Sequence, residues 1–263
     1  MSNVCVKNCC IGSGIPKICV PIVATNLREI FSQARGMQRK NFDLIEWRID
    51  RFADFHDINM VRRASRILHG ILDDQPFILT FRTIGEGGKQ PIEPEYYVEL
   101  YRTAIEEHLV DMIDVELFIG DEIVKELTDL AHSHGMPVII SNHDFDRTPP
   151  HEELIARMKH AESVGADILK IAVMPKDKHD VLELLYATEQ MSRESDCPLI
   201  TMSMGQSGII SRLSGEIFGS AVTFGTIGAA SAPGQIDLDS LRMVLQLLHK
   251  HIGCKDIKKA LIR

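Results

Sequence analysis

No apolar run in the 263 residues approaches the ~18 needed to span a bilayer. The first ten residues, Met-Ser-Asn-Val-Cys-Val-Lys-Asn-Cys-Cys, lack the long apolar centre of a secretory signal, so a cytoplasmic protein is expected. Basic residues are not in excess: 29 Lys and Arg stand against 37 Asp and Glu, a net charge of -8. That balance excludes the basic stripe of a nucleic-acid binder, though not a local arginine cluster for a small anion. No paired C-x-x-C occurs among the six cysteines, Cys5, Cys9, Cys10, Cys19, Cys197 and Cys254, so a zinc site is unsupported and reduced thiols are expected. The eleven histidines include the pairs His132/His134 and His249/His251, and neither pair has the i, i+4 spacing of helical metal ligands. Phosphate loops are absent too. Thr83 stands where a P-loop ending at Lys89 needs its first glycine, and Lys17 where a dinucleotide loop needs its third. No linker rich in proline or serine divides the chain, and no low-complexity tract interrupts it.

What is present is rhythm. Short apolar, β-branched runs at 18–24, 44–49, 77–81, 112–117, 137–141, 167–173, 199–203 and 221–224 recur roughly every thirty residues. Helical patterns fill the intervals. One opens at Thr148 as N-cap with Pro149 in its first turn, carries Leu154, Ile155, Met158 and Ala161 on one face, and ends at Gly165. Others stop at Gly135 and Gly253. Strand and helix in alternation imply a parallel sheet. Eight such units predict an α/β protein, a closed (β/α)8 TIM barrel in a single domain covering 1–263, with a doubly wound open sheet as runner-up. Residues 1–16 precede the barrel and are expected to form a short hairpin closing its bottom.

Lys170 carries most of the chemical information. It interrupts Ala166-Asp-Ile-Leu-Lys-Ile-Ala-Val173, otherwise a buried strand. Alternation puts Ala166, Ile168, Lys170 and Ala172 on one face. Burial disfavours an ammonium, and an uncharged amine can attack a carbonyl to form a Schiff base. A structural, salt-bridged lysine is the competing reading. Barrel active sites lie at the C-terminal strand ends. Glu46, Arg48 and Asp50 fall there, as do Arg82, Glu86, Asp114 with Glu116, His143 and, past the last strand, a lid-like segment over 228–235. An amine, a histidine and Arg48, Arg82 and Arg212 at one mouth suit imine chemistry on a carboxylate substrate. The imine acidifies the adjacent C–H, and His143 removes the proton as base and returns it to a leaving hydroxyl as acid. The three arginines are expected to lower the Lys170 pKa further. Arg212, near the start of a helix beginning around Ser207, is a candidate carboxylate clamp.

Glu46-Trp-Arg48-Ile-Asp50, Phe81-Arg82-Thr83 with Glu86-Gly-Gly88, Ser141-Asn-His143-Asp144-Phe145, Lys170-Ile-Ala-Val-Met-Pro175, Ser211-Arg212 with Gly219-Ser220, and Ala230-Ser231-Ala-Pro-Gly-Gln235-Ile236 form one constellation. It resembles the type I 3-dehydroquinate dehydratases of the shikimate pathway over nearly the whole chain. The resemblance implies a homodimeric (β/α)8 barrel with no metal and no organic cofactor. It implies a Lys170 imine with 3-dehydroquinate, His143 as base and acid in a syn elimination, and Glu86 supporting the histidine. Glu46, Arg48 and Arg82 would contact ring hydroxyls; Arg212, Ser231 and Gln235 would hold the carboxylate. A class I aldolase and a silent metabolite-binding barrel are the rival readings.

Overall fold

A computed structural model describes residues 2–228 and 232–252. The chain opens with an antiparallel hairpin, β1 (Val4–Val6) and β2 (Cys9–Ile11). Strand and helix then alternate as β3 (Lys17–Ile22), α1 (Leu27–Met37), β4 (Leu44–Arg48), α2 (Ile58–Leu72), β5 (Phe77–Thr80), α3 (Pro94–Glu106), β6 (Met112–Glu116) and α4 (Asp121–Ser133). There follow β7 (Val138–Asp144), α5 (His151–Ser163), β8 (Ile168–Val173), α6 (Lys178–Glu194), β9 (Leu199–Ser203), α7 (Ile209–Leu213), α8 (Gly215–Phe218), β10 (Val222–Thr226), β11 (Ile236–Asp237) and α9 (Leu238–Ile252). The large sheet runs β11-β10-β3-β4-β5-β6-β7-β8-β9, every pairing parallel. A bridge between Leu199 and Ser220 joins its two ends beside β10. The result is a TIM-barrel-like ring of eight strands, as the eight apolar runs lead one to expect, and the open sheet is set aside.

Local chemistry explains the helix ends. Asn26 caps α1 by accepting from the Glu29 N–H, and Glu29 reaches back to the Thr25 N–H, so two orphan donors are satisfied at once. Ile30, Ala34 and Met37 then bury one stripe of that helix. Asp177 caps α6 through the N–H groups of His179 and Asp180. Gly135 and Gly165 follow their helices at φ 68° and 101°, where a Cβ is disfavoured. The expected start of α5 is corrected: the helix begins at His151 and Thr148 is not its cap. Pro150 forces Pro149 out of helical geometry, because its ring clashes with the preceding residue there. The expected stop at Gly253 lies outside the described residues.

Period-two alternation sorts the barrel interior into layers. Cys19, Leu44, Ile78, Met112, Ile139, Ile168, Ile200 and Val222 form an apolar floor, and Cys9 and Ile11 of the hairpin close it from below. Full burial of Ile11 stabilises that seal by about 1.5–3 kcal/mol. Leu169, Ile171 and Val173 face the helices; Ala166 joins them there rather than the Lys170 face, because it precedes the strand.

The reduced state expected for every cysteine is also corrected. Hairpin register sets Cys5 opposite Cys10, with Cα atoms 4.0 Å apart, and the two form a disulfide. Cross-strand neighbours come within bonding reach whatever the spacing in sequence. Cys9, Cys19 and Cys197 are free thiols. No helix among the described residues is long and apolar enough to cross a membrane.

Candidate active site

Two residues above the floor, the interior turns polar on the five strands β4–β8. Glu46, Thr80, Asp114, Ser141 and Lys170 are all buried there. One further step up stand Arg48, Glu116 and His143, with Arg82 just past the end of β5. A cavity of about 200 Å³ opens onto this tier. Its wall includes Glu46, Arg48, Arg82, Glu86, His143, Lys170 and Gln235, seven of the nine residues expected from the sequence. Met202, Met204 and Phe224 supply an apolar side, and the Lys170 Nζ lies 4.8 Å from the centre of the Phe224 ring. Arg212 is fully buried one layer behind: its Nη1 is 3.5 Å from the Met202 sulfur and its Nη2 donates to the Pro233 carbonyl at 3.0 Å. Ser231 lies outside the described residues.

Lys170 points into the barrel, as its strand face requires. Its Nζ donates to Asp114 Oδ2 at 2.6 Å and to Glu46 Oε1 at 3.0 Å. Burial pulls its pKa down, but the two carboxylates outweigh burial and the neighbouring Arg82, and the net displacement is upward. The uncharged amine expected from the sequence is therefore corrected: the resting group is an ammonium. The physical reason is that Asp114 and Glu46, reached from β6 and β4, are nearer to Nζ than the arginines are. Asp114 lies outside the expected set, although its alternation with Glu116 on a barrel strand was a signal. Its carboxyl, fully buried yet beside Arg82 and Lys170, is held well below the carboxylate range.

Arg82, part of the cavity wall, is held by neighbouring side chains. It donates to Asp114 at 2.8 Å and to Glu116 and Ser141 at 2.9 Å each. Arg48 pairs with Asp50 in fork geometry, at 2.7 and 3.0 Å. Arg212 forms no ion pair among the described residues, and its Nε has no hydrogen-bond partner. Burial lowers its pKa to about 10, so it stays a cation in a dry place. It is the fourth residue of the five-residue α7, which begins at Ile209, two positions after the expected Ser207.

His143 is in register with Ala172 on the adjacent strand, two residues beyond Lys170. Its Nδ1 is 2.9 Å from Glu86 Oε2, which also accepts the His143 backbone N–H at 2.9 Å. Nδ1 is thereby engaged, and the ring lines the cavity. Burial, with Arg82 and Lys170 nearby, pushes the imidazole pKa well below its ordinary value, so the ring is neutral at pH 7. Burial and the Glu116 charge push Glu86 up to about 8, against the opposing pull of Arg82 and Asn142. The arrangement therefore offers a primary amine held as its ammonium, a neutral imidazole beside a carboxyl, and a buried guanidinium with no ion pair among the described residues.

The chain is similar to known proteins over most of its length. The sequence model described as Type I 3-dehydroquinase matches residues 18–252. A 3-dehydroquinate dehydratase of Escherichia coli (strain 55989 / EAEC) is 49% identical over 251 residues, covering 95% of this chain and 100% of that protein. Among solved structures, the type I 3-dehydroquinate dehydratase of Clostridium difficile, with covalent modified comenic acid, superposes with a TM-score of 0.93 at 47% identity, over 95% of this chain and 99% of that one. The 3-dehydroquinate dehydratase of Geobacillus kaustophilus HTA426 gives 0.93 at 39% identity, over 95% and 97%. With a family match spanning most of the barrel, the chain belongs to the type I 3-dehydroquinase family.

Proposed function

We propose that this protein is a hydro-lyase that dehydrates 3-dehydroquinate to 3-dehydroshikimate through an imine on Lys170. The observation that carries the reading is the placing of the Lys170 Nζ and the His143 ring on one cavity wall. Lys170 must first surrender a proton, and Asp114 and Glu46 are the bases in hydrogen-bond contact with it. The freed amine attacks the ring ketone, water leaves, and an iminium forms. His143 Nε2 then takes the proton next to the iminium carbon, and the C–H electrons move to nitrogen as an enamine. The enamine expels the β-hydroxyl, which His143 protonates as it departs in a syn elimination. Hydrolysis of the conjugated iminium restores Lys170 and releases product. Overall one water is lost.

Glu86 matters for the tautomer. A Glu86 carboxylate accepts from Nδ1–H and leaves the Nε2 lone pair free; a protonated Glu86 donating to Nδ1 would put the proton on Nε2 and block the base. Arg212, with Gln235 and Ser231, is the proposed carboxylate site. Arg48, Arg82 and Glu46 are the proposed contacts for ring hydroxyls. On this reading 1–263 works as one barrel domain in a cytoplasmic homodimer, without metal or organic cofactor. Ultraviolet absorption of the conjugated product, followed with purified protein and 3-dehydroquinate, tests the activity; a flat trace contradicts it.

A further inference from the structure

Behind the Glu86–His143 pair, a second cavity of about 360 Å³ is bounded by Glu86, Phe118, Asn142, Asp144 and Arg157. Across it runs a short chain of side chains. Asn142 Nδ2 donates to Glu86 Oε1 at 3.1 Å, and Asn142 Oδ1 accepts from Arg157 Nη1 at 2.7 Å. A carboxamide has one donating and one accepting end, whereas a guanidinium only donates. Arg157 therefore dictates which end of Asn142 it meets, and the amide must turn its NH2 toward Glu86. Arg157 is itself well held. Its Nη2 pairs with Glu153, Asp144 Oδ2 is 3.7 Å from Nη1, and the guanidinium lies 5.4 Å from the Phe118 ring centre.

We infer that Arg157 is a positioning residue for the dehydration: by fixing the Asn142 amide it keeps Glu86 a hydrogen-bond acceptor, and so keeps the base lone pair of His143 on Nε2. The inference rests on the proposed role of His143. Without Arg157, the amide is free to flip and present its oxygen to the Glu86 carboxylate, which then ionises less readily. Glu86 is well placed to feel the loss. Arg82 on its own segment, Glu116 from β6, His143 and Asp144 from β7, and Lys170 from β8 already face it or share its cavities. Those groups leave the ionisation of the carboxyl finely balanced, with Asn142 as the neutral donor that favours the charged form.

The test is kcat/KM against pH for the wild type and for Arg157→Met, Arg157→Lys, Asn142→Ser and Glu86→Gln, with thermal melting of each. Arg157→Met should move the acid limb upward by about one pH unit, the loss of one hydrogen bond to a charged group. The high-pH plateau should change only a few-fold. Arg157→Lys, which still donates, should restore the limb, and Asn142→Ser should shift it as Arg157→Met does, with no further shift in the double variant. If Arg157→Met fails to fold, Arg157→Gln, whose amide can accept as well as donate and so cannot dictate the Asn142 orientation, is read in its place. Equal loss at every pH, with the limb in place, would overturn the inference. Glu86→Gln separates the two levels: if it abolishes the limb while Arg157→Met leaves it unmoved, only the inference fails. If Glu86→Gln itself keeps the limb, the His143–Glu86 reading beneath it fails.

Discussion

Asp114 Oδ2 lies 2.6 Å from the Lys170 Nζ, closer than any other charged group to the amine on which the chemistry depends. The contact makes the resting lysine a cation, so imine formation has to begin with proton transfer out of an ion pair. Asp114→Asn should lower the Lys170 pKa, since Arg82 remains to repel the ammonium. Reductive trapping at graded pH should then succeed about one pH unit lower than in the wild type. An unmoved threshold would show that Asp114 does not control the amine.

Glu86 gives a stability signature of the opposite sign to a salt-bridged carboxylate. Its folded pKa is raised to about 8, whereas an unfolded glutamate ionises near ~4.3. Between these values the folded state binds the extra proton, so stability falls as pH rises through that window, by up to ~1.4 kcal/mol per unit. Glu86→Gln should flatten this fall in denaturant titrations at pH 5 to 8. An unchanged slope would place its origin elsewhere.

His143→Ala removes base and acid together. Turnover should drop by about 10²–10⁴-fold, while slow imine formation at Lys170 persists. Undiminished turnover would take the histidine out of the mechanism.

Arg212 carries a buried charge with no ion pair among the described residues, which suits the proposed carboxylate site. Arg212→Ala should raise KM with little change in kcat. Equal losses in kcat and kcat/KM would instead assign it to the transition state alone.

The Cys5–Cys10 bridge lies at the barrel floor, at the opposite end from Lys170 and His143. Alkylation of unfolded, unreduced protein should label Cys9, Cys19, Cys197 and Cys254 but spare Cys5 and Cys10. Cys5→Ser should cost about 2 kcal/mol in stability and leave turnover unaltered. Labelling of Cys5 would contradict the pairing.

The barrel and most of its site were legible because alternation is a strong signal. Once Lys170 is placed on an inward face, Glu46, Arg48, Arg82 and His143 follow on inward faces of their own strands. The ionisation of Lys170 was not legible. It depends on which charges come nearest across the barrel, and Asp114 is separated from Lys170 by 56 positions in the sequence. Asn142 was hidden for a related reason: its neighbour His143 has the reactive ring, and its partner Arg157 belongs to a helix whose start two consecutive prolines displaced. The Cys5–Cys10 pairing was not legible either, because it depends on hairpin register, which the spacing of the two cysteines does not reveal.

The most direct measurement is borohydride reduction of the protein in the presence of 3-dehydroquinate, followed by peptide mass mapping. A single substrate-derived adduct on the peptide bearing Lys170 is expected, and it should vanish in Lys170→Ala. Normal turnover with no adduct, or an adduct on another lysine, would contradict covalent catalysis at this residue.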